Sequence, residues 1–357
     1  MTAAPPSGSR GTQIRVVVVE DSMVQRRHLV DVLEADRDIT VVGEAGTAIE
    51  AIDLVAQLLP NVVTLDLQIP GGGGQYALEQ IMACTPTPVL VLSGTVYNQT
   101  SAPAIDALVA GAMLAVPKPL VWTPALEEEL RRNVRMLRNV PVVRHLKGRL
   151  RPSPAKTDSV IRRDPSGATR VVAIAASTGG PPALATVLVG LAGLDAAVMI
   201  VQHLHADFVS GLLDWMTRVS PLPVVLAVHG EVARAGHVHI APGGAHLRLA
   251  PGGRVELTTR PVTIHRPSAD QLFASVATHA GSGAIGVLLT GMGEDGAAGL
   301  AAMRRAGART IAQDEATCAV FGMPRAAQRL GAVEQMLPLA SIANAIMRAA
   351  QLGQGSQ

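Results

Sequence analysis

From Ile14 the chain settles into a regular alternation of short apolar runs and amphipathic stretches. The runs fall at residues 14–19, 40–44, 62–65, 88–92 and 113–116, and the amphipathic segments near 22–35, 47–58, 75–83, 101–110 and 124–138. Short runs rich in Val, Leu and Ile read as strands covered on both faces, and the longer segments as the helices that cover them. Five such units in a row predict a doubly wound parallel sheet. The alternation then stops. Between Arg144 and Arg170 there are eight Lys or Arg against two Asp, with Pro152, Pro154 and Pro165 and no apolar period, so this stretch reads as a linker. A second α/β alternation begins at Val171, with strands expected at 171–176, 196–202, 223–228, 237–241, 284–290 and 309–312 and a hairpin around Pro251 to Arg254.

Composition narrows the class. The 357 residues suit two domains, and hydrophobic residues make up 48% with only seven aromatics, so the cores must be aliphatic. The longest apolar stretches, such as Ala183 to Leu194, are shorter than the roughly 20 residues a membrane span needs, and no signal-peptide pattern opens the chain. The expectation is a soluble cytoplasmic protein without membrane insertion. Cys84 and Cys318 lie far apart with no C-x-x-C spacing, which argues against a disulfide framework or a zinc site and reads as two small buried hydrophobes. A net charge of +2 gives no electrostatic case for binding nucleic acid. Residues 1–12, rich in Ala, Pro, Ser and Gly, read as a disordered tail.

In open parallel sheets the working residues gather where strands end. In the first half the strands run into Glu20 and Asp21, Asp66, Ser93, and Pro117-Lys118-Pro119. Three crowded carboxylates, Glu20, Asp21 and Asp66, repel one another unless a divalent cation lies among them, and Mg²⁺ takes oxygen ligands of this kind. With a cation and Lys118 balancing the charge, Asp66 could act as a nucleophile on a phosphoryl group, held by Ser93 and Lys118. Any one of these acids could instead cap a helix, as Asp21-Ser22 stands ahead of one. The segments VVVVEDS, TLDLQIP, VLSG and VPKP resemble the signatures of response-regulator receiver domains. The resemblance implies phosphorylation of Asp66 by a histidine kinase, with Glu20, Asp21 and Asp66 holding the metal. The chain departs from that pattern in two places. Gly71 to Gly74 replace a polar loop, and Ala115 stands at the switch position three residues before the lysine, where an aromatic is usual.

In the second half, Ala173 to Leu184 reads AIAASTGGPPAL. A strand ends at Ala176, and Pro181-Pro182 suit a first helical turn, so Ser177 lies on a tight strand-to-helix turn whose free N–H groups favour negative charge. The turn is not a dinucleotide fingerprint, because G-x-G-x-x-G is absent. The strand-end rule brings two partners to the same edge: His203 after the 196–202 run, and Asp295 in Gly291-Met292-Gly293-Glu294-Asp295-Gly296. A hydroxyl, an imidazole and a carboxylate are the set required for acyl transfer. His205 and Glu294 compete for the second and third roles, and each residue has a plainer reading as a cap or rim group.

The motifs AIAASTGGPPAL, VQHLHADFVSGL, IAPGGAHL, HRPSADQLF, LLTGMGEDGAAGL and QDEATCAVFGMP resemble, in order, the catalytic domain of chemotaxis protein-glutamate methylesterases, the CheB family. The resemblance implies a Ser177, His203, Asp295 triad, with Thr178 and Met292 beside the nucleophile offering backbone N–H groups to the oxyanion. It also implies hydrolysis of glutamate methyl esters on chemoreceptors, deamidation of receptor glutamines, and no cofactor for that reaction beyond Mg²⁺ at the receiver. The expected partners are methylated chemoreceptors and a histidine kinase of the CheA type, with a receiver that covers the esterase cleft until Asp66 is phosphorylated. The expected fold class is α/β throughout: a flavodoxin-like receiver with a five-stranded parallel sheet at 13–138, a linker at 139–170, and a three-layer α/β/α, Rossmann-like esterase domain at 171–350. A scaffold without catalysis is the alternative. A DNA-binding output lacks its helix-turn-helix pattern, and a lipase lacks its G-x-S-x-G elbow, since Ala175 stands at the first glycine position.

Overall fold

The computed structural model describes residues 13–94, 102–138, 140 and 171–352, which fall into two compact units. The expected tail at 1–12 and nearly all of the expected linker at 139–170 lie outside the described residues.

In the first alternation the elements follow as β1 (Ile14–Val19), α1 (Met23–Glu34), β2 (Ile39–Ala45), α2 (Ala48–Leu58), β3 (Val62–Asp66), α3 (Gly73–Cys84), β4 (Val89–Gly94), α4 (Ala102–Ala110), β5 (Leu114–Lys118) and α5 (Pro124–Leu137). The helix starts follow from capping: Ser22, Thr47 and Thr123 are N-caps whose hydroxyls accept from the N–H three residues on, and Pro124 occupies the first turn of α5. The five strands are parallel in the order β2-β1-β3-β4-β5, so the order reverses between β1 and β3. That reversal opens a crevice at the strand ends, where Glu20, Asp21 and Asp66 stand. The glycine run has a definite use here. Gly71, Gly72 and Gly73 all have positive φ, and a Cβ on Gly74 would run into the Asp66 carbonyl.

The second unit continues with β6 (Val171–Ala176), α6 (Gly180–Val189), β7 (Ala197–Gln202), α7 (Val209–Val219), β8 (Val224–Leu226) and β9 (Val238–Ile240). Next come the hairpin β10 (His246–Ala250) and β11 (Arg254–Thr258), then α8 (Ala269–His279), β12 (Ala284–Leu288), α9 (Ala297–Arg305), β13 (Arg309–Gln313), α10 (Met323–Arg329), β14 (Gln335–Leu337) and α11 (Leu339–Leu352). Seven parallel strands lie in the order β14-β13-β12-β6-β7-β9-β8, which reverses between β6 and β12. Val171, Ala173 and Ala175 of β6 share one core with Leu272, Phe273 and Val276 of α8, Leu300 and Met303 of α9, and Met323 and Ala327 of α10. The alternate residues of β6 turn to the other face, and α6 packs against both α7 and α11. Three layers result.

Two readings of the sequence are corrected. The edge strand β14, only three residues long and not fully buried, is absent from the expected strands, and it forms by pairing with β13. Cys84 is exposed rather than buried, because it ends α3 beyond the turn that buries Ile81 and Met82; Cys318 is buried, and both thiols are free.

Candidate active site

The switch point of the second sheet positions Ser177. The Ser177 N–H donates to the Thr290 carbonyl at 3.0 Å, tying the end of β6 to the segment after β12. On the other side β6 pairs with β7 in a register that matches Ala176 with Gln202. Ser177 and His203 therefore leave adjacent strands at the same step, about 4.8 Å apart in the pairing direction. The His203 N–H donates to the Ala176 carbonyl at 3.0 Å, and the buried Gln202 carboxamide donates to the Ser177 and His203 carbonyls at 2.8 and 2.9 Å.

The Ser177 turn requires glycine. Gly179 is the N-cap of α6 with φ of 73°, and a Cβ there would meet Ala319. A Cβ on Gly180 would run into the Gln202 side chain, and one on Gly291 into Met323 and to 2.7 Å from the Ser177 Cβ. The turn, the Gln202 side chain at the β7 end and Gly291 are thus packed too closely to admit a Cβ at these glycines. The N–H groups of Thr178 and Met292 donate to nothing among the described residues, and the Thr178 carbonyl accepts from the Thr290 hydroxyl at 3.0 Å.

Asp295 comes from the loop between β12 and α9, and its carboxylate lies against the start of α8. Its Oδ2 accepts from the Ala269 N–H at 2.7 Å and is 2.8 Å from His203 Nε2, while its Oδ1 accepts from the Ser268 hydroxyl at 2.8 Å and the Asp270 N–H at 3.1 Å. Burial alone would raise its pKa, but the bond to His203, the His203 charge and the helix N–H groups outweigh that and hold it below the ordinary carboxylate range. The carboxylate therefore stays ionised. Nδ1 of His203 is buried and has no partner among the described residues. The ring of His265 stacks on that of His203 with centroids 4.2 Å apart and planes 10° from parallel. Partial burial, followed by the nearby His203, pushes the His265 pKa down, which favours a neutral ring there. Of the rival residues, His205 is exposed and faces Asp207 at 3.4 Å.

In the first unit Lys118 Nζ bridges Glu20 Oε2 at 2.5 Å and Asp66 Oδ2 at 2.6 Å. Burial raises the Glu20 pKa, with Asp66 adding to it and Lys118 opposing. For Lys118, burial works downward but the bonds to Asp66 and Glu20 prevail and raise its pKa. Glu20, Asp21 and Asp66 each present a carboxylate oxygen within 4.8 Å of the others, a donor set that fits a hard divalent cation. Ser93 stands at the end of β4, paired with Pro117, with Lys118 one step on. Ala115 is buried on β5.

Two family models match the chain. Residues 16–130 match the response regulator receiver domain model, and residues 172–346 match the CheB methylesterase model. A protein-glutamate methylesterase/protein-glutamine glutaminase from Anaeromyxobacter dehalogenans (strain 2CP-C) is 41% identical over 337 residues, which cover 93% of this chain and 97% of that one. The chain belongs to the CheB methylesterase family. A relative of the same name from Burkholderia thailandensis is 40% identical over 95% of this chain and 100% of its own, and one from Agrobacterium fabrum 42% over 94% and 96%.

In this CheB-family chain several groups around the site escape a reading of the sequence. Ser268, Ala269 and Asp270 hold Asp295, Gln202 clamps the two strand ends, and His265 covers the histidine ring. A serine N-cap just after the HRP segment was the available signal that a helix start lay free to hold an anion. Among the described residues no helix is long and apolar enough to cross a membrane.

Proposed function

We propose that this chain is a phosphorylation-regulated protein-glutamate methylesterase and protein-glutamine glutaminase. On this reading a receiver at 13–138 and an esterase domain at 171–350 are joined by a linker at 139–170, and the protein acts in the cytoplasm. Ser177 Oγ attacks the side-chain carbonyl of a glutamyl methyl ester on a chemoreceptor. His203 takes the hydroxyl proton, the Thr178 and Met292 N–H groups receive the oxyanion, and His203 returns the proton as methanol leaves. Water then hydrolyses the acyl-enzyme by the reverse proton path, and a glutamine substrate releases ammonia instead. The observation that carries this reading is the Asp295 carboxylate on one nitrogen of His203, with the other nitrogen unpartnered among the described residues one strand away from the Ser177 turn.

In the receiver, Glu20, Asp21 and Asp66 would hold Mg²⁺, which when bound offsets the negative charge of a phosphoryl group. Asp66 accepts that phosphoryl group from a CheA-type histidine kinase, and Lys118 and Ser93 hold its oxygens. Steady-state methanol release from methylated receptor membranes tests the catalytic reading. Wild type should release methanol and Ser177→Ala should fall to background; an active Ser177→Ala protein overturns the assignment.

A further inference from the structure

The segment between β11 and α8 is held as a loop by one buried side chain. His246 of β10 is fully buried; its Nδ1 accepts from the Ser268 N–H at 3.1 Å, so Nε2 carries the hydrogen and donates to the Pro261 carbonyl at 2.9 Å. Both ends of the loop are thereby fastened to the same imidazole. Within it the Thr263 hydroxyl donates to the His265 carbonyl at 2.5 Å. The backbone is thus fixed, and it directs Val262 and Ile264 into solvent, 83% and 95% exposed. Single exposed aliphatic residues are ordinary on protein surfaces. These two differ in lying on a loop held by a buried anchor, within three residues before His265, whose ring lies 4.2 Å from that of His203.

We infer that the 261–267 loop is a docking rim for the protein substrate, on which Val262 and Ile264 receive an aliphatic side chain from the segment that carries the ester. The inference rests on the esterase reading above. A glutamyl ester reacting between Ser177 and His203 brings its own backbone and neighbouring side chains to the rim of the site. The residue directly before the stacked His265 is the nearly bare Ile264. Covering it with an aliphatic group removes apolar surface from water on both partners, and the fixed loop loses little further freedom on binding. The rim thus selects esters by what stands beside them.

The test uses the full chain with acetyl phosphate and Mg²⁺ present, and synthetic peptides that carry one glutamyl γ-methyl ester, with leucine placed in turn at each of the four positions on either side, against a parent with serine at all of them. At least one leucine peptide should exceed the parent by about tenfold in kcat/KM. The pair Val262→Ser and Ile264→Ser should bring that ratio close to one, and the pair Val262→Leu and Ile264→Leu should retain it, with thermal melts confirming that each variant is folded. A wild type that hydrolyses every peptide equally, or a folded serine variant that keeps the preference, overturns the docking rim and leaves the esterase intact. A wild type that hydrolyses no ester and whose Ser177 takes up no serine-directed acylating probe removes both.

Discussion

Nε2 of His203 lies 2.8 Å from Oδ2 of Asp295, and Nδ1 of the same ring has no hydrogen-bond partner among the described residues. The carboxylate thus fixes the tautomer that leaves Nδ1 as the basic nitrogen. Three further donors, the Ser268 hydroxyl and the Ala269 and Asp270 N–H groups, fix the carboxylate in turn.

Asp295→Asn should therefore remove the charge that balances the imidazolium and let the ring adopt the wrong tautomer. Methanol release is expected to drop by about 10⁴-fold. Nitrogen-15 spectra of histidine-labelled wild type should show the hydrogen on Nε2 of His203; a hydrogen on Nδ1 in the resting enzyme contradicts the assignment.

Acid stability should carry the signature of the same residue. The native pKa of Asp295 is depressed, so its stabilisation is present above the unfolded value of about 3.9 and is lost as pH falls toward the native value. The stability gap between wild type and Asp295→Asn should shrink as pH falls below about 4. Denaturant melts across that range provide the measurement, and a gap that widens in acid refutes the sign.

Gly291→Ala should damage the site without replacing a proposed catalytic side chain. The added methyl would press on the Met323 thioether, which can yield, and on the Ser177 Cβ and N–H at 2.7 and 3.1 Å, which cannot. A loss of about 1–3 kcal/mol of stability is expected, with turnover falling more than KM rises, because the nucleophile's turn is displaced. Unchanged turnover in a folded Gly291→Ala protein would show that the contact does not position Ser177.

The receiver supplies the fourth prediction. Acetyl phosphate with Mg²⁺ should raise the esterase rate of wild type and leave that of Asp66→Asn unaltered, since the carboxylate bridged by Lys118 is the acceptor on this reading. Equal stimulation of the two proteins would place the effect elsewhere.

Much of this was legible before any coordinates. Strand-end runs such as VVVVED and VLLTGMGED announce both a buried strand and the polar group that follows it, because an unbroken apolar run and its length are local properties of the chain. In this way the two sheets, the acidic crevice and the approximate placement of Ser177, His203 and Asp295 could be read from one line of sequence.

What the sequence determined by itself was which residues form strands and which polar groups lie at their ends, since those depend on neighbours a few positions away. Only the tertiary structure decided which strand ends meet, because β6 must pair with β12 across more than a hundred intervening residues before Asp295 can reach His203. It also decided what holds them: the α8 start around Asp295, the Gln202 clamp, and the His265 ring against His203. Those contacts are set by packing between distant elements, and packing leaves no periodic trace in the chain.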